Sequence, residues 1–296
     1  MVANKTKGTA LALALFAIFV WGASFAVTRA AVREIPPLAL AFLRFALAAA
    51  VLWPAARRFP LRVARADRLA VFSLGFVGVT LYFAFENAGL ARTTASHGAL
   101  LVAIIPLITE LLAARRRRRP PSRRIIFCLL TALAGMAVIF GQDEGAGASA
   151  AGDLLMLGAV AAWIGYTLLA EDLTRRYPGL PLTMRIMAVG AATLLPLALI
   201  EAAFLPFGRP SVASWSGVAF LGVFCSALAY LAWNRAIPAL GVTRTNALIN
   251  LIPLFGVLAG VLGLGEPLSL RIVFGGGLIL AGVAGTISTR DNYGKT

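Results

Sequence analysis

The sequence predicts an all-α, polytopic membrane protein of ten transmembrane helices in two inverted five-helix repeats. Three observations predict it: ten apolar stretches of spanning length, a second half that repeats the first, and cations confined to alternate connections. The stretches are residues 9–28, 37–56, 68–88, 93–114, 123–141, 152–171, 182–204, 214–235, 243–264 and 269–288. Each holds close to the ~20 apolar residues that cross a ~30 Å hydrocarbon core. With 60% hydrophobic and 13% charged residues, the 296-residue chain has too little polar surface to cover a water-soluble globule.

The first stretch follows Lys5 and Lys7 as a signal peptide would, but it exceeds the ~7–15 residues of a signal core and has a counterpart in the second half. It therefore reads as the first helix of the mature protein. The counterparts follow a shift of 147 residues. Leu74-Gly75 falls on Leu221-Gly222, Leu81 on Leu228, Asn87 on Asn234, and Ile105-Pro106-Leu107 on Ile252-Pro253-Leu254. Leu133-Ala134-Gly135 likewise falls on Leu280-Ala281-Gly282, and a slightly smaller shift pairs Trp21 with Trp163 and Arg44 with Arg185. The chain divides into a first repeat at 1–141, a periplasmic Gly/Ser-containing linker at 142–151 and a second repeat at 152–296. Five crossings per repeat force the two halves to enter the bilayer from opposite sides. Secondary transporters build alternating gates around one site in this way.

The net charge of +15 is explained by topology rather than by nucleic acid. With the N-terminus inside, 20 of the 27 Lys and Arg fall on that side and 5 on the other, Arg44 and Arg185 lying within spans. Such an asymmetry predicts both termini in the cytoplasm. The run Arg115 to Arg119, with Arg123 and Arg124, then faces the anionic inner leaflet of the bilayer. Cys128 and Cys225, both inside apolar spans, read as small core residues without a disulfide or metal framework. No cofactor, metal or nucleic-acid partner is expected, and the chain is read as a monomer.

Polar residues at helical spacing mark faces that lipid cannot satisfy, so they must point into the bundle or a watered cavity. Trp21, Ser24 and Thr28 share such a face on the first helix, and Gly75, Gly78, Tyr82 and Glu86 on the third. Thr94 and His97 do so on the fourth, Met156, Trp163, Tyr166 and Ala170 on the sixth, and Ser226, Tyr230 and Asn234 on the eighth. Thr243, Asn246, Asn250 and Pro253 do so on the ninth. The candidate substrate-binding residues are Trp21, Ser24, Tyr82, His97, Trp163, Tyr166, Tyr230, Asn246 and Asn250. Pro106 and Pro253, at equivalent points, are candidate gate bends.

Each has a plainer alternative. Trp53, Tyr177 and Trp215 read as interfacial anchors, Asn87 and Asn234 as helix caps, and Asn246 and Asn250 equally as interhelical hydrogen-bond formers. His97 is a pH-sensitive or carboxylate-contacting group, or a solvated vestibule residue. Arg44 and Arg185 read as paired or snorkelling, with a carboxylate contact at Arg44 as the sharper option. Gly256, Gly260, Gly277, Ala281 and Gly285 read as close helix packing.

The stretch Ala229-Tyr230-Leu231-Ala232-Trp233-Asn234-Arg235-Ala236, then Asn250-Leu251-Ile252-Pro253-Leu254, Gly265-Glu266-Pro267-Leu268 and Leu280-Ala281-Gly282, resembles the second repeat of an EamA-type carrier of the drug/metabolite transporter superfamily. Phe19-Val20-Trp21-Gly22, Pro36-Pro37 with Leu43-Arg44-Phe45, and Pro106 carry the resemblance into the first half. The first repeat departs from the pattern at the end of its fourth helix, where Ala113-Ala114 stand in place of Gly-Glu. The resemblance implies a ten-helix inner-membrane exporter of amino acids, drugs or other metabolites, with aromatic amino acids suggested by the Trp and Tyr set.

None of the twelve acids reads as mid-span, which predicts an aromatic, neutral-polar cavity and transport without proton exchange. Multidrug or sugar-type metabolite efflux is the alternative within the same class. A membrane-embedded enzyme would need a clustered metal site or a nucleophile with its base, which one histidine and two scattered cysteines do not supply.

Overall fold

The computed structural model describes residues 2–90, 92–93, 98, 101–140, 149–205, 208–255 and 270–289. Among these the chain forms ten helical segments and no strand. They are α1 Val2–Ala31, α2 Pro37–Ala56, α3 Arg65–Leu90, α4 Ile105–Arg116, α5 Arg123–Phe140, α6 Ala150–Arg176, α7 Gly179–Phe204, α8 Val212–Leu240, α9 Val242–Ala247 and α10 Leu270–Ser288. Seven of them (α1, α2, α3, α6, α7, α8 and α10) are long and apolar enough to cross a membrane. The fourth and ninth stretches extend partly over residues outside the described set, as do His97, Thr94, Gly256, Gly260, Glu266 and most of the linker. Phe127, Leu154, Phe204 and Leu270 stand exposed on the perimeter, where apolar side chains suit lipid.

Packing joins counterpart to counterpart. α2 lies against α7, α5 against α10 and α4 against α9, while α1 packs on α8 as α6 packs on α3. Glycines permit the closest approach. A Cβ on Gly135 would meet the Gly275 carbonyl oxygen at 2.5 Å, and one on the equivalent Gly282 would run into the Cys128 carbonyl oxygen. The small-residue face expected on α10 is thus corrected: Gly277 and Ala281 are exposed, and Gly275, Gly282 and Gly285 make the contact.

The helix ends are held by side chains from other elements. The Glu34 carboxylate accepts from the Ser211 N–H (2.6 Å) and the Ser214 hydroxyl (2.8 Å), tying the α1–α2 connection to the start of α8. At the corresponding join of the other repeat, Tyr177 (2.6 Å) and Arg176 (2.8 Å) donate to Asp67 at the start of α3. Glu201 accepts from the Leu38 and Ala39 N–H groups, satisfying the first turn of α2, where Pro37 has no N–H and needs no acceptor. Part of the arginine run is internally paired, Arg116 with Asp172 and Arg117 with Glu171 at the end of α6.

Two irregularities recur by the same 147-residue shift. α3 is π-helical over Phe76–Leu81 and α8 over Leu221–Leu228. The backbone also leaves the α-helix before each of the two repeat-related prolines: a turn at residues 103–104 precedes Pro106, and a 3-10 segment, Leu248–Leu251, precedes Pro253. Pro106 stands in the first turn of α4, where its missing N–H leaves no hydrogen bond unmade. The breaks expected at these prolines therefore lie N-terminal to the rings.

Candidate functional site

The two π-helical segments set up the centre of the bundle. A π turn releases a backbone carbonyl from the regular ladder, and here equivalent carbonyls are taken by aromatic side chains from the opposite repeat. Tyr230 donates its hydroxyl to the Gly78 oxygen (3.1 Å), and Trp21 donates Nε1–H to the Cys225 oxygen (2.9 Å). Gly78 and Cys225 are related by the repeat shift. Gly78 also lies directly against the Tyr166 ring, which a Cβ there would overlap.

Around these anchors the aromatic rings close on one another. Trp21 lies 5.4 Å from Trp163 and 5.5 Å from Tyr230 between ring centroids, and Tyr82 lies 5.2 Å from Trp163. The rings line a cavity of about 50 Å³. Its wall includes Trp21, Ser24, Thr28, Arg44, Tyr82, Glu86, Trp163 and Tyr230, with Ile105, Ile249 and Ile252 at one side. At ~10–15 Å³ per water, that volume takes a few waters. It is well below the ~300–1,000 Å³ of a ligand pocket, so the cavity is too small for a drug-sized solute in this conformation.

Of the sequence-selected residues, Trp21, Ser24, Tyr82, Trp163 and Tyr230 come together on this wall. Among the described residues, Trp163 Nε1 is buried without a hydrogen-bond partner. Tyr166 is wholly buried behind the wall, donating to Asn234 (2.6 Å), which in turn donates to Thr183 (3.0 Å). Asn246 donates to Thr109 across the α4–α9 contact (2.9 Å), where Thr243 also donates to Glu110 (2.5 Å). Asn250 is buried off the wall, and neither of its amide atoms has a hydrogen-bond partner among the described residues. His97 lies outside the described residues.

Two charged residues change the character expected of the cavity. Glu86 is buried on its wall and accepts from the Tyr82 hydroxyl (2.7 Å), so the expectation of a cavity free of carboxylate is corrected. The α3 helix extends to Leu90, beyond the predicted span, and Glu86 lies one turn after Tyr82 on its regular α-helical part. Arg44, only 4% exposed, donates Nε–H to the Ser226 hydroxyl (2.9 Å) and stacks over Phe83 with its Cζ 4.6 Å from the ring centroid. The stripe containing Glu86 is visible in the sequence. Its role is hidden there by the apparent end of the helix two residues on.

An all-helical membrane bundle whose halves pair around one central cavity has the architecture of inverted-repeat membrane transporters. The EamA-like transporter family model matches residues 8–141 and again 150–288, and the chain belongs to that family. An uncharacterized transporter of Archaeoglobus fulgidus is 31% identical over 281 residues, covering 92% of this chain and 96% of its own. A protein of Streptantibioticus cattleyicolor described as a probable terminal-alkyne amino-acid exporter is 28% identical, covering 90% of this chain and 89% of its own. A solved crystal structure shares the fold at 22% identity, with a TM-score of 0.79 over 94% of this chain and 96% of that one.

Proposed function

We propose that this protein exports amino acids or related small zwitterionic metabolites by alternating access, with aromatic amino acids as the best-fitting substrates. One observation carries the reading: a single cavity presents a cation, Arg44, and a carboxylate, Glu86, beside a wall of Trp21, Tyr82, Trp163 and Tyr230. A zwitterion offers a carboxylate to the guanidinium and an ammonium to Glu86, while an aromatic side chain packs edge-to-face on the rings. The Trp163 N–H, without a partner among the described residues, supplies a further donor. A simple cationic drug would meet Arg44, which disfavours the multidrug alternative. The amino-acid exporter among the relatives is consistent with this substrate class.

In the proposed orientation both termini are cytoplasmic, in the inner membrane. The cavity then lies toward the periplasmic half, where α1 and α3 end. The polar contacts Thr243–Glu110, Asn246–Thr109 and Tyr166–Asn234–Thr183 stand below it as the closed cytoplasmic gate. Opening this gate, with bending at the breaks before Pro106 and Pro253, would admit substrate from inside.

The test is counterflow in liposomes containing only this protein, loaded with an aromatic amino acid, a sugar or a cationic dye. Exchange of the amino acid alone, lost in Arg44→Gln, is expected. Exchange of the dye or sugar with no amino-acid flux would overturn the assignment.

A further inference from the structure

A second cavity lies away from the central site. A groove of about 600 Å³ is lined by Arg62 and Val63 of the α2–α3 connection, Arg68, Val71 and Phe72 of α3, and Arg185 of α7, with Leu61 and Val189 completing it. The three arginines are exposed, and none has an acidic partner among the described residues. The nearby carboxylate is already committed: Asp67 accepts from both Arg176 and Tyr177. That clamp also holds the α2–α3 connection, since the Tyr177 hydroxyl accepts from the Ala64 N–H (3.2 Å). Arg62 and Arg68 are thereby carried on a fixed backbone beside Arg185 of α7.

Arg185 is the instructive member. Its repeat counterpart, Arg44, is buried and bonded to Ser226, whereas Arg185 opens outward from an apolar helix. A guanidinium there is stabilised by reaching the membrane interface and finding an anion. Below the cations the groove wall is apolar, with Val71, Phe72 and Val189, and Phe72 and Leu69 face the perimeter. Charge at one end and hydrocarbon at the other is the pattern of a phospholipid.

We propose that this groove binds an anionic phospholipid, with Arg62, Arg68 and Arg185 on its phosphate and Val71, Phe72 and Val189 against the start of an acyl chain. Basic pockets between membrane helices take anionic headgroups in this way, and planar guanidinium groups suit phosphate oxygens. The site is independent of the substrate reading above.

The experiment uses the purified full chain incubated with micelles containing equal phosphatidylglycerol and phosphatidylcholine, with retained lipid counted by native mass spectrometry. Wild type should retain phosphatidylglycerol preferentially. The variant Arg62→Gln/Arg68→Gln/Arg185→Gln should lose that preference on the order of tenfold. A control with the same charge change, Arg57→Gln/Arg58→Gln/Arg123→Gln, should retain it. Equal loss in both variants would make the binding diffuse electrostatics, no loss in the first would empty the groove, and either overturns the proposal. Competition by inorganic phosphate alone at matched concentration would assign a soluble anion instead and overturn the lipid. Should the triple variant not fold, as judged by size exclusion, Arg185→Gln against Arg185→Lys gives the same reading, with loss expected in the first and partial retention in the second.

Discussion

Trp163 and Trp215 both sit on long apolar helices but differ in what surrounds them. Trp163 is 5% exposed and meets Trp21, Tyr82 and Tyr166, whereas Trp215 is 47% exposed in the first turn of α8. Trp163→Ala should therefore lower amino-acid flux in liposomes far more than Trp215→Ala at equal protein content. The lost ring contacts alone are worth roughly 0.5–1.5 kcal/mol each, and equal fluxes would remove Trp163 from the substrate path. Arg44 gives a second test. Arg44→Lys keeps the charge but loses the Nε–H bond to Ser226 and the planar stacking on Phe83, so the KM for a carboxylate substrate should rise while the protein still folds. An unchanged KM would reduce Arg44 to a packing residue. Helical spacing in the sequence is enough to group Trp21, Tyr82, Trp163 and Tyr230 as inward-facing. It does not separate them from Tyr166 or Asn250, because a stripe names a helix face and not what lies opposite it.

The π-helical segments of α3 and α8 are the elements on which the centre depends. Gly78 fits only because its hydrogen faces the Tyr166 ring, and that ring is held by its hydroxyl on Asn234. Gly78→Ala should cost roughly 1–3 kcal/mol by overpacking. A lowered thermal midpoint in detergent would register it, and an unchanged midpoint would show that Tyr166 yields freely. The Glu34 clamp on α8 makes a pH prediction. Hydrogen bonds from the Ser211 N–H, then from the Ser214 and Ser211 hydroxyls, hold the Glu34 carboxyl below its ordinary value of 4.5. Its contribution is thus present above that ordinary value and fades as the pH falls through the lower folded value. Thermal midpoints measured as the pH is lowered from above that ordinary value to well below it should drop more steeply for wild type than for Glu34→Gln. Parallel curves would deny the clamp any role. Neither π segment is readable from the sequence. The matched Leu-Gly and Leu positions align the two helices, but a released carbonyl leaves no trace in side-chain pattern.

For the molecule as a whole, the 20 to 5 division of cations predicts that a cysteine introduced at Gly147 reacts with a membrane-impermeant maleimide from outside, while one at Arg118 reacts only after lysis. Labelling of residue 147 from the cytoplasm would break the inverted-repeat topology. Glu86 bears on energy coupling. With a buried carboxylate on the cavity wall, the ground for expecting passive transport is gone. In Glu86→Gln, the KM for exchange of labelled for unlabelled amino acid should rise, because the partner of the substrate ammonium is lost, and any accumulation driven by a pH gradient should disappear; an unaltered gradient response would exclude Glu86 as the coupling group.

The number and class of the helices, their repeat and their charge asymmetry were determined by the sequence alone. Lipid imposes those features one stretch at a time, through local apolar length, so composition along the chain is sufficient to read them. Only the tertiary structure decided that Glu86 and Arg44 share the central cavity, that Arg185 opens onto a separate groove, and that Asn246 joins helices away from the cavity wall. Those assignments depend on how each helix is rotated about its axis against partners more than a hundred residues away. The π turns at Phe76–Leu81 and Leu221–Leu228 shift that rotation midway along α3 and α8. Rotation of this kind arises from packing between the repeats, which no single stretch of sequence contains.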